Sequence, residues 1–218
     1  MIAFITGATA GIGKSTAEIF AKNGYNIIIT GRRKDRLDAF SKQLKDTYKV
    51  DVLSLNFDVR NLKEVQDAVK TIPENWKKIN VLVNNAGLAV GLNSIQEGVT
   101  DDWDRMIDTN IKGLLYMTRT LVPLMTANGF GHIVNLGSIA GKEVYANGNV
   151  YCATKHAVDA LSKSMRIDLL PHHIKVTAIH PGMVETEFSI VRFKGDEEKA
   201  KNVYKGVQPL TPDDIAET

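Results

Sequence analysis

The chain begins MIAFITGATAGIG, a strand-like apolar run that meets a cluster of glycines and then a helical pattern. Few openings constrain a fold more. Ile2 to Thr6 reads as a short buried strand, and Lys14 to Asn23 as a helix stopped by Gly24. Gly7, Gly11 and Gly13 lie between them with G-x-x-x-G-x-G spacing, not the G-x-G-x-x-G of the common dinucleotide fingerprint. Glycines there let backbone approach a phosphate, and a helix N-terminus offers free N–H groups and a positive dipole end.

The alternation continues along the chain. Strands are expected at Asn26–Thr30, Val52–Phe57, Val81–Val83, Ile133–Leu136 and Lys175–Ile179. Helices are expected at Lys34–Tyr48, from a capping box at Asn61–Glu64 to Ile72, and at Asn149–Leu169. Another, capped by Thr100-Asp101-Asp102, runs from Trp103 toward Asn128 with an interruption at Pro123. Strands alternating with helices imply an α/β fold, a Rossmann-like doubly wound parallel sheet in one domain with helices on both faces. The 218 residues suffice for one sizeable core, and no repeat or composition break marks a second domain.

A formal net charge of +2 is too small to argue for nucleic acid or an anionic membrane, and no apolar run spans a bilayer. The single cysteine, Cys152, permits no internal disulfide and reads as a small core residue. A reducing, cytoplasmic setting is the expectation. The five histidines show no metal-ligand spacing.

Several strand ends carry polar residues where an open α/β sheet binds its ligand. After the second strand stand Gly31-Arg32-Arg33, with no acid until Asp35. Two guanidiniums suit a 2′-phosphate better than a free ribose hydroxyl, which favours NADP over NAD. Asp58 and Val59 follow the third strand; Asp58 reads either as an adenine contact or as the cap of the next loop. Asn84-Asn85-Ala86-Gly87 follows the fourth and suits backbone-level work beside a cofactor, or simply holds its loop. After the fifth comes SIAGKEVYANGNVYCATK, in which Ser138 ends the strand and Tyr151 precedes Lys155 by one helical turn. The stretch 183–210 has no clean strand period and reads as a lid over a site.

In combination, Thr6-Gly7-x-x-x-Gly11-Ile12-Gly13, Asn84-Asn85-Ala86-Gly87, Asn110, Ser138, Tyr151-x-x-x-Lys155 and Pro181-Gly182 resemble the short-chain dehydrogenases/reductases over nearly the whole chain. A narrower likeness, to the NADP-dependent 3-hydroxy acid dehydrogenases, lies in three segments. These are Gly31-Arg32-Arg33, Tyr145 to Tyr151, and Thr186-Glu187-Phe188-Ser189-x-Val191-Arg192-Phe193-Lys194-Gly195-Asp196. That group acts on serine, allo-threonine and 3-hydroxypropionate, or in reverse on malonic semialdehyde. The resemblance implies Ser138, Tyr151, Lys155 and Asn110 as catalytic residues, Asn110 anchoring a water that relays protons to Lys155. It implies NADP contacts from Gly7, Thr9, Gly11, Ile12, Gly13, Arg32, Arg33, Asp58, Val59, Asn84, Ala86 and Gly87, and from Tyr151, Lys155, Pro181, Gly182 and Thr186. The substrate would be a small molecule met by Ser138, Tyr145, Tyr151 and Arg192, with no metal, and the assembly a homotetramer. Family members continue beyond a residue such as Thr218 with a longer helix and a seventh strand, so the chain is expected to be truncated.

Tyrosine ordinarily titrates near ~10. An ammonium about 4–5 Å away contributes roughly 3–4 kcal/mol at an effective dielectric of ~20, enough to bring phenolate to neutral pH. Tyr151 is therefore the expected general base, Lys155 the residue that lowers its pKa while holding the ribose hydroxyls, and Ser138 a donor to the reacting oxygen. Arg192 reads either as a partner for a substrate carboxylate or as a lid salt bridge. Two rivals share these residues: a reductase of 3-oxoacyl thioesters or bulkier carbonyls, and an NADP-binding regulatory protein without turnover.

Overall fold

A computed structural model describes residues 1–218. Six parallel strands form one sheet in the order β3-β2-β1-β4-β5-β6. They are β1 (Ile2–Ile5), β2 (Asn26–Gly31), β3 (Val52–Asn56), β4 (Val81–Asn84), β5 (Gly131–Leu136) and β6 (Ile174–Ile179). The order reverses between β1 and β4, which opens a crevice at the carboxyl ends of these two strands. Alternate side chains of each strand enter opposite layers. Phe4 and Ile28 join a core with α3 (Leu62–Lys70), α5 (Leu114–Ala127) and α6 (Asn149–Leu169). Ile5, Ile27 and Ile29 join the other core, with α1 (Gly11–Lys22), α2 (Lys34–Tyr48) and α9 (Pro212–Ala216). The doubly wound expectation holds.

The helix boundaries follow local chemistry. Gly24, with φ +78°, ends α1. Thr211 and Asp214 form a reciprocal capping box around Pro212 at the first position of α9. At α3, Asn61 accepts from the N–H groups of Lys63 and Glu64, but Glu64 reaches back to the Asp58 N–H at 2.9 Å, so the expected box is shifted.

Two expectations need correction. Thr100, Asp101 and Asp102 do not cap the next helix; they form the first turn of α4 (Thr100–Ile107), after Val99. The helix irregularity is not at Pro123, which sits inside α5 between the buried Leu121 and Met125. It lies upstream, where Asp108–Gly113 forms a π-helical turn joining α4 to α5. Such widened turns carry an inserted residue and occur often at functional sites. Asn110 lies within it.

The 183–210 stretch is partly regular: it holds α7 (Phe188–Arg192), α8 (Glu197–Asn202) and a parallel bridge from Val184 to Leu210. No helix is long and apolar enough to cross a membrane.

Candidate active site

A cavity of about 820 Å³ opens along the carboxyl ends of the strands, from Arg32 and Arg33 at one end to Tyr151 and α7 at the other. Its floor is the turn between β1 and α1. Gly7 and Gly11 hold φ +66° and +52°, values that glycine adopts without a Cβ penalty. Asn85 braces this turn: its amide donates to the carbonyls of Thr6 (2.8 Å) and Gly7 (3.2 Å). The Thr6 hydroxyl in return accepts from the N–H groups of Asn85 and Ala86. Gly13 packs beneath, where a Cβ would lie 2.2 Å from Asn85 Nδ2 and 2.5 Å from the Gly7 carbonyl. Thr9, Gly11 and Ile12 line the cavity above it.

Of the two asparagines at the end of β4, Asn85 lines the cavity and Asn84 does not. The Asn84 amide is buried under the sheet end and donates to Thr118 Oγ1 and Asn135 Oδ1. Strand parity accounts for the difference, since neighbouring residues face opposite layers. Ala86 and Gly87 face the cavity.

At the β2 end, Arg33 gives its Nε and Nη2 to Thr9 Oγ1 and its Nη1 to Glu187. Arg32 points toward Asp58 at 3.9 Å. Burial works against the Asp58 charge, but the hydrogen bonds from Arg60 outweigh it and hold the carboxyl below its ordinary range. The Asp58 side chain thus braces its own loop, while Val59 lines the cavity beside it.

At the far end, β5 delivers Ser138 and α6 delivers Tyr151 and Lys155. Ser138 Oγ accepts from the Ala140 N–H, and its carbonyl accepts from His180 Nδ1. His180, from the sequence an unremarkable side chain, therefore fixes the peptide that carries the serine. Lys155 is buried and donates from Nζ to the Leu136 carbonyl at 2.8 Å. Its Nζ lies 5.9 Å from the Tyr151 ring centre. Phe188 of α7 meets that ring edge-on at 5.8 Å.

The electrostatics differ from expectation. With protein groups alone, burial pushes the Tyr151 phenol up to about 12, and the Ser138 hydroxyl and the Arg192 guanidinium only partly offset it. Burial lowers the Lys155 ammonium to about 8. Lys155 Nζ is anchored by its hydrogen bond to the Leu136 carbonyl, and the phenol stays well above neutral pH. Lys155 by itself does not bring the phenol to neutral pH.

Asn110 is buried in the middle of the helical stretch from α4 to α5. Its Oδ1 accepts from the Leu88 N–H, and its Nδ2 donates to the Leu88 carbonyl and to Thr154 Oγ1. The π-turn aims it inward and ties the loop after β4 to α6. Pro181, Gly182 and Thr186 line the cavity roof, with Thr186 packed against Gly11.

Arg192 reaches from α7 over the Tyr151 ring. Its Cζ lies 5.6 Å from the Tyr151 ring centre and 5.4 Å from that of Tyr145, and Nη2 donates to the Tyr145 hydroxyl at 2.9 Å. Its Nε is buried with no hydrogen-bond partner. Two further contacts fix this arm. The Arg192 carbonyl accepts from the Gly91 N–H, and Lys194 pairs with the buried Asp102 at 2.8 Å.

A glycine floor beneath a strand crossover, with a serine, tyrosine and lysine converging at its end, defines a class. The short chain dehydrogenase family model matches residues 1–197, and the chain belongs to the short-chain dehydrogenase/reductase family of oxidoreductases. Within it, the chain is 50% identical over 218 residues to an NADP-dependent 3-hydroxy acid dehydrogenase of Salmonella typhimurium, covering all of this chain and 86% of that protein. It is 44% identical over 214 residues to the NADP-dependent 3-hydroxy acid dehydrogenase of Schizosaccharomyces pombe, covering 98% and 83%. Among solved structures it is similar to the closed form of a serine dehydrogenase complexed with NADP+. There the TM-score is 0.94 at 45% identity, with 100% of this chain and 86% of that one covered.

Proposed function

We propose that the protein is an NADP-dependent oxidoreductase that oxidises the 3-hydroxyl of short 3-hydroxy acids such as serine, allo-threonine or 3-hydroxypropionate, or reduces the corresponding semialdehyde. The relatives named above support the cofactor and the hydroxy-acid class. The glycine floor, too tight at Gly13 for any side chain, and the arginines at the β2 end fit a dinucleotide with an extra phosphate. When bound, NADP supplies the hydride acceptor or donor and, in its oxidised form, a positive charge beside the phenol.

The chain's own residues manage the proton and the orientation. Tyr151 takes the hydroxyl proton in the oxidative direction and returns it in the reductive one. Ser138 Oγ donates to the reacting oxygen, and Lys155 contributes a cation beneath the phenol. Asn110 holds the Leu88 loop against α6 and so fixes the spacing between Lys155 and the cofactor floor. In this reading the 183–210 stretch is the lid. A homotetramer in the cytoplasm is the assembly and setting the same reading favours.

One observation carries the substrate class. Arg192 Nε is buried beside Tyr151 with no partner, on a guanidinium that already uses Nη2 to hold Tyr145. A buried cationic donor without a partner is costly, and a substrate carboxylate would satisfy it. The expected result for Arg192→Met is a KM for serine or 3-hydroxypropionate raised ~30-fold, the order of a charge-assisted pair. Neutral alcohols would change less than ~3-fold by the same arithmetic. The guanidinium also favours the phenolate, so the pH profile should move upward alike for both substrates. Steady-state rates read from nicotinamide absorbance check this, and an equal KM effect on both classes removes the carboxylate role.

A further inference from the structure

The end of the cavity far from Tyr151 holds an arrangement that the proton chemistry does not use. Glu187 sits at the root of α7, between Thr186, packed on Gly11, and Phe188, packed on Tyr151. Its carboxylate is held by two guanidiniums more than 150 residues away. Arg33 Nη1 lies 2.8 Å from Oε2, and Arg36 Nη1 lies 2.8 Å from Oε1 and 3.1 Å from Oε2. Arg33 holds Thr9 as well, so Glu187 engages the same guanidinium that the β2 end offers to a phosphate. A carboxylate held by one N–H group from each of two guanidiniums occupies donors that a phosphate monoester would also use.

We propose that Glu187 competes with the 2′-phosphate of NADP for Arg33, and so sets how strongly the protein prefers NADP to NAD and how readily NADP leaves. This rests on the reading of Arg33 as the 2′-phosphate partner. A 2′-phosphate on Arg33 brings like charge against the Glu187 carboxylate, and Arg36 is the cation that then retains it. The exchange is local, but Glu187 is adjacent in sequence to the residues that pack on the glycine floor and on the catalytic ring. Occupancy at the ribose end is thereby coupled to the seating of α7.

The test is calorimetric binding, without substrate, of NADP+, NAD+, adenosine 2′,5′-bisphosphate and adenosine 5′-monophosphate to the parent, Glu187→Gln and Arg33→Met. Glutamine keeps the shape and removes the charge. Glu187→Gln is expected to tighten NADP+ and the bisphosphate about fivefold, the order of a solvent-exposed ion pair, and to leave NAD+ and the monophosphate unchanged. Arg33→Met is expected to weaken only the two ligands that carry a 2′-phosphate. If Arg33→Met is selective while Glu187→Gln is neutral, weakens them, or shifts all four alike, the competition is overturned and the phosphate site stands. If Arg33→Met shifts all four alike, the phosphate site at Arg33 fails and the inference fails with it.

Discussion

Tyr151→Phe is expected to lower kcat about a thousandfold for every substrate, the scale of a lost general acid–base group, equivalent to ~4 kcal/mol of barrier. The structure explains why this loss should be clean. Phe188, Arg192 and Lys155 all approach the aromatic ring, and phenylalanine preserves that ring. Only the hydroxyl proposed to exchange the substrate proton disappears. NADP+ affinity, measured by quenching of protein fluorescence, should stay within about threefold because the ring remains in place. The opposite substitution pattern, intact turnover with lost cofactor binding, would make Tyr151 a binding residue and leave the reaction without its base.

The second large effect is expected at Gly13, and it is mechanical. An added methyl would stand 2.5 Å from the Gly7 carbonyl and 2.2 Å from Asn85 Nδ2. The asparagine amide cannot swing aside without giving up its bonds to the Thr6 and Gly7 carbonyls. Gly13→Ala must therefore open the turn between β1 and α1. Overpacking of this kind costs ~1–3 kcal/mol, and the freed carbonyls add to it. A melting temperature lower by about 5–10 °C follows for a chain of this size. Cofactor affinity should fall about a hundredfold, because the distorted turn is the proposed phosphate floor. Gly182→Ala is the control for stability: nothing lies within 4 Å of its added carbon, so the melting temperature should not fall. A Gly13→Ala protein that melts and binds like the parent would mean the turn is not under the constraint described.

How much of this was legible beforehand depended on range in sequence. The α2 and α6 bounds match the expected ones because patterning and local stop signals decide them. The sheet, the glycine floor and the pairing of Tyr151 with Lys155 follow from neighbours in the chain. Contacts across the chain were not legible. Arg33 and Glu187 are 154 residues apart, and no local pattern announces that they meet. Asn84 and Asn85 look alike in sequence; only the last residue of β4, which fixes strand parity, separates the buried one from the brace. Asn110 appears as an unfavourable residue in a helix, and only the π-turn reveals why it is tolerated. The phenol's environment is hidden for a similar reason: helical spacing puts Lys155 on the right face, but says nothing of the Leu136 carbonyl that accepts its hydrogen bond.

With Ser138 and Arg192 already favouring its ionised form, the Tyr151 phenol stands at about 12, and the proposed reaction requires NADP+ charge to bring it down into the working range. Because the base must be deprotonated to accept a proton, oxidation should gain rate as pH rises through that lowered value, and reduction should lose it. The direct measurement is the ultraviolet difference titration of tyrosinate, parent minus Tyr151→Phe, with and without NADP+. The predicted result is one phenolate appearing near neutral to mildly alkaline pH only with NADP+, its midpoint matching that of the oxidation rate. A midpoint unmoved by NADP+, with oxidation still active at neutral pH, would contradict the claim.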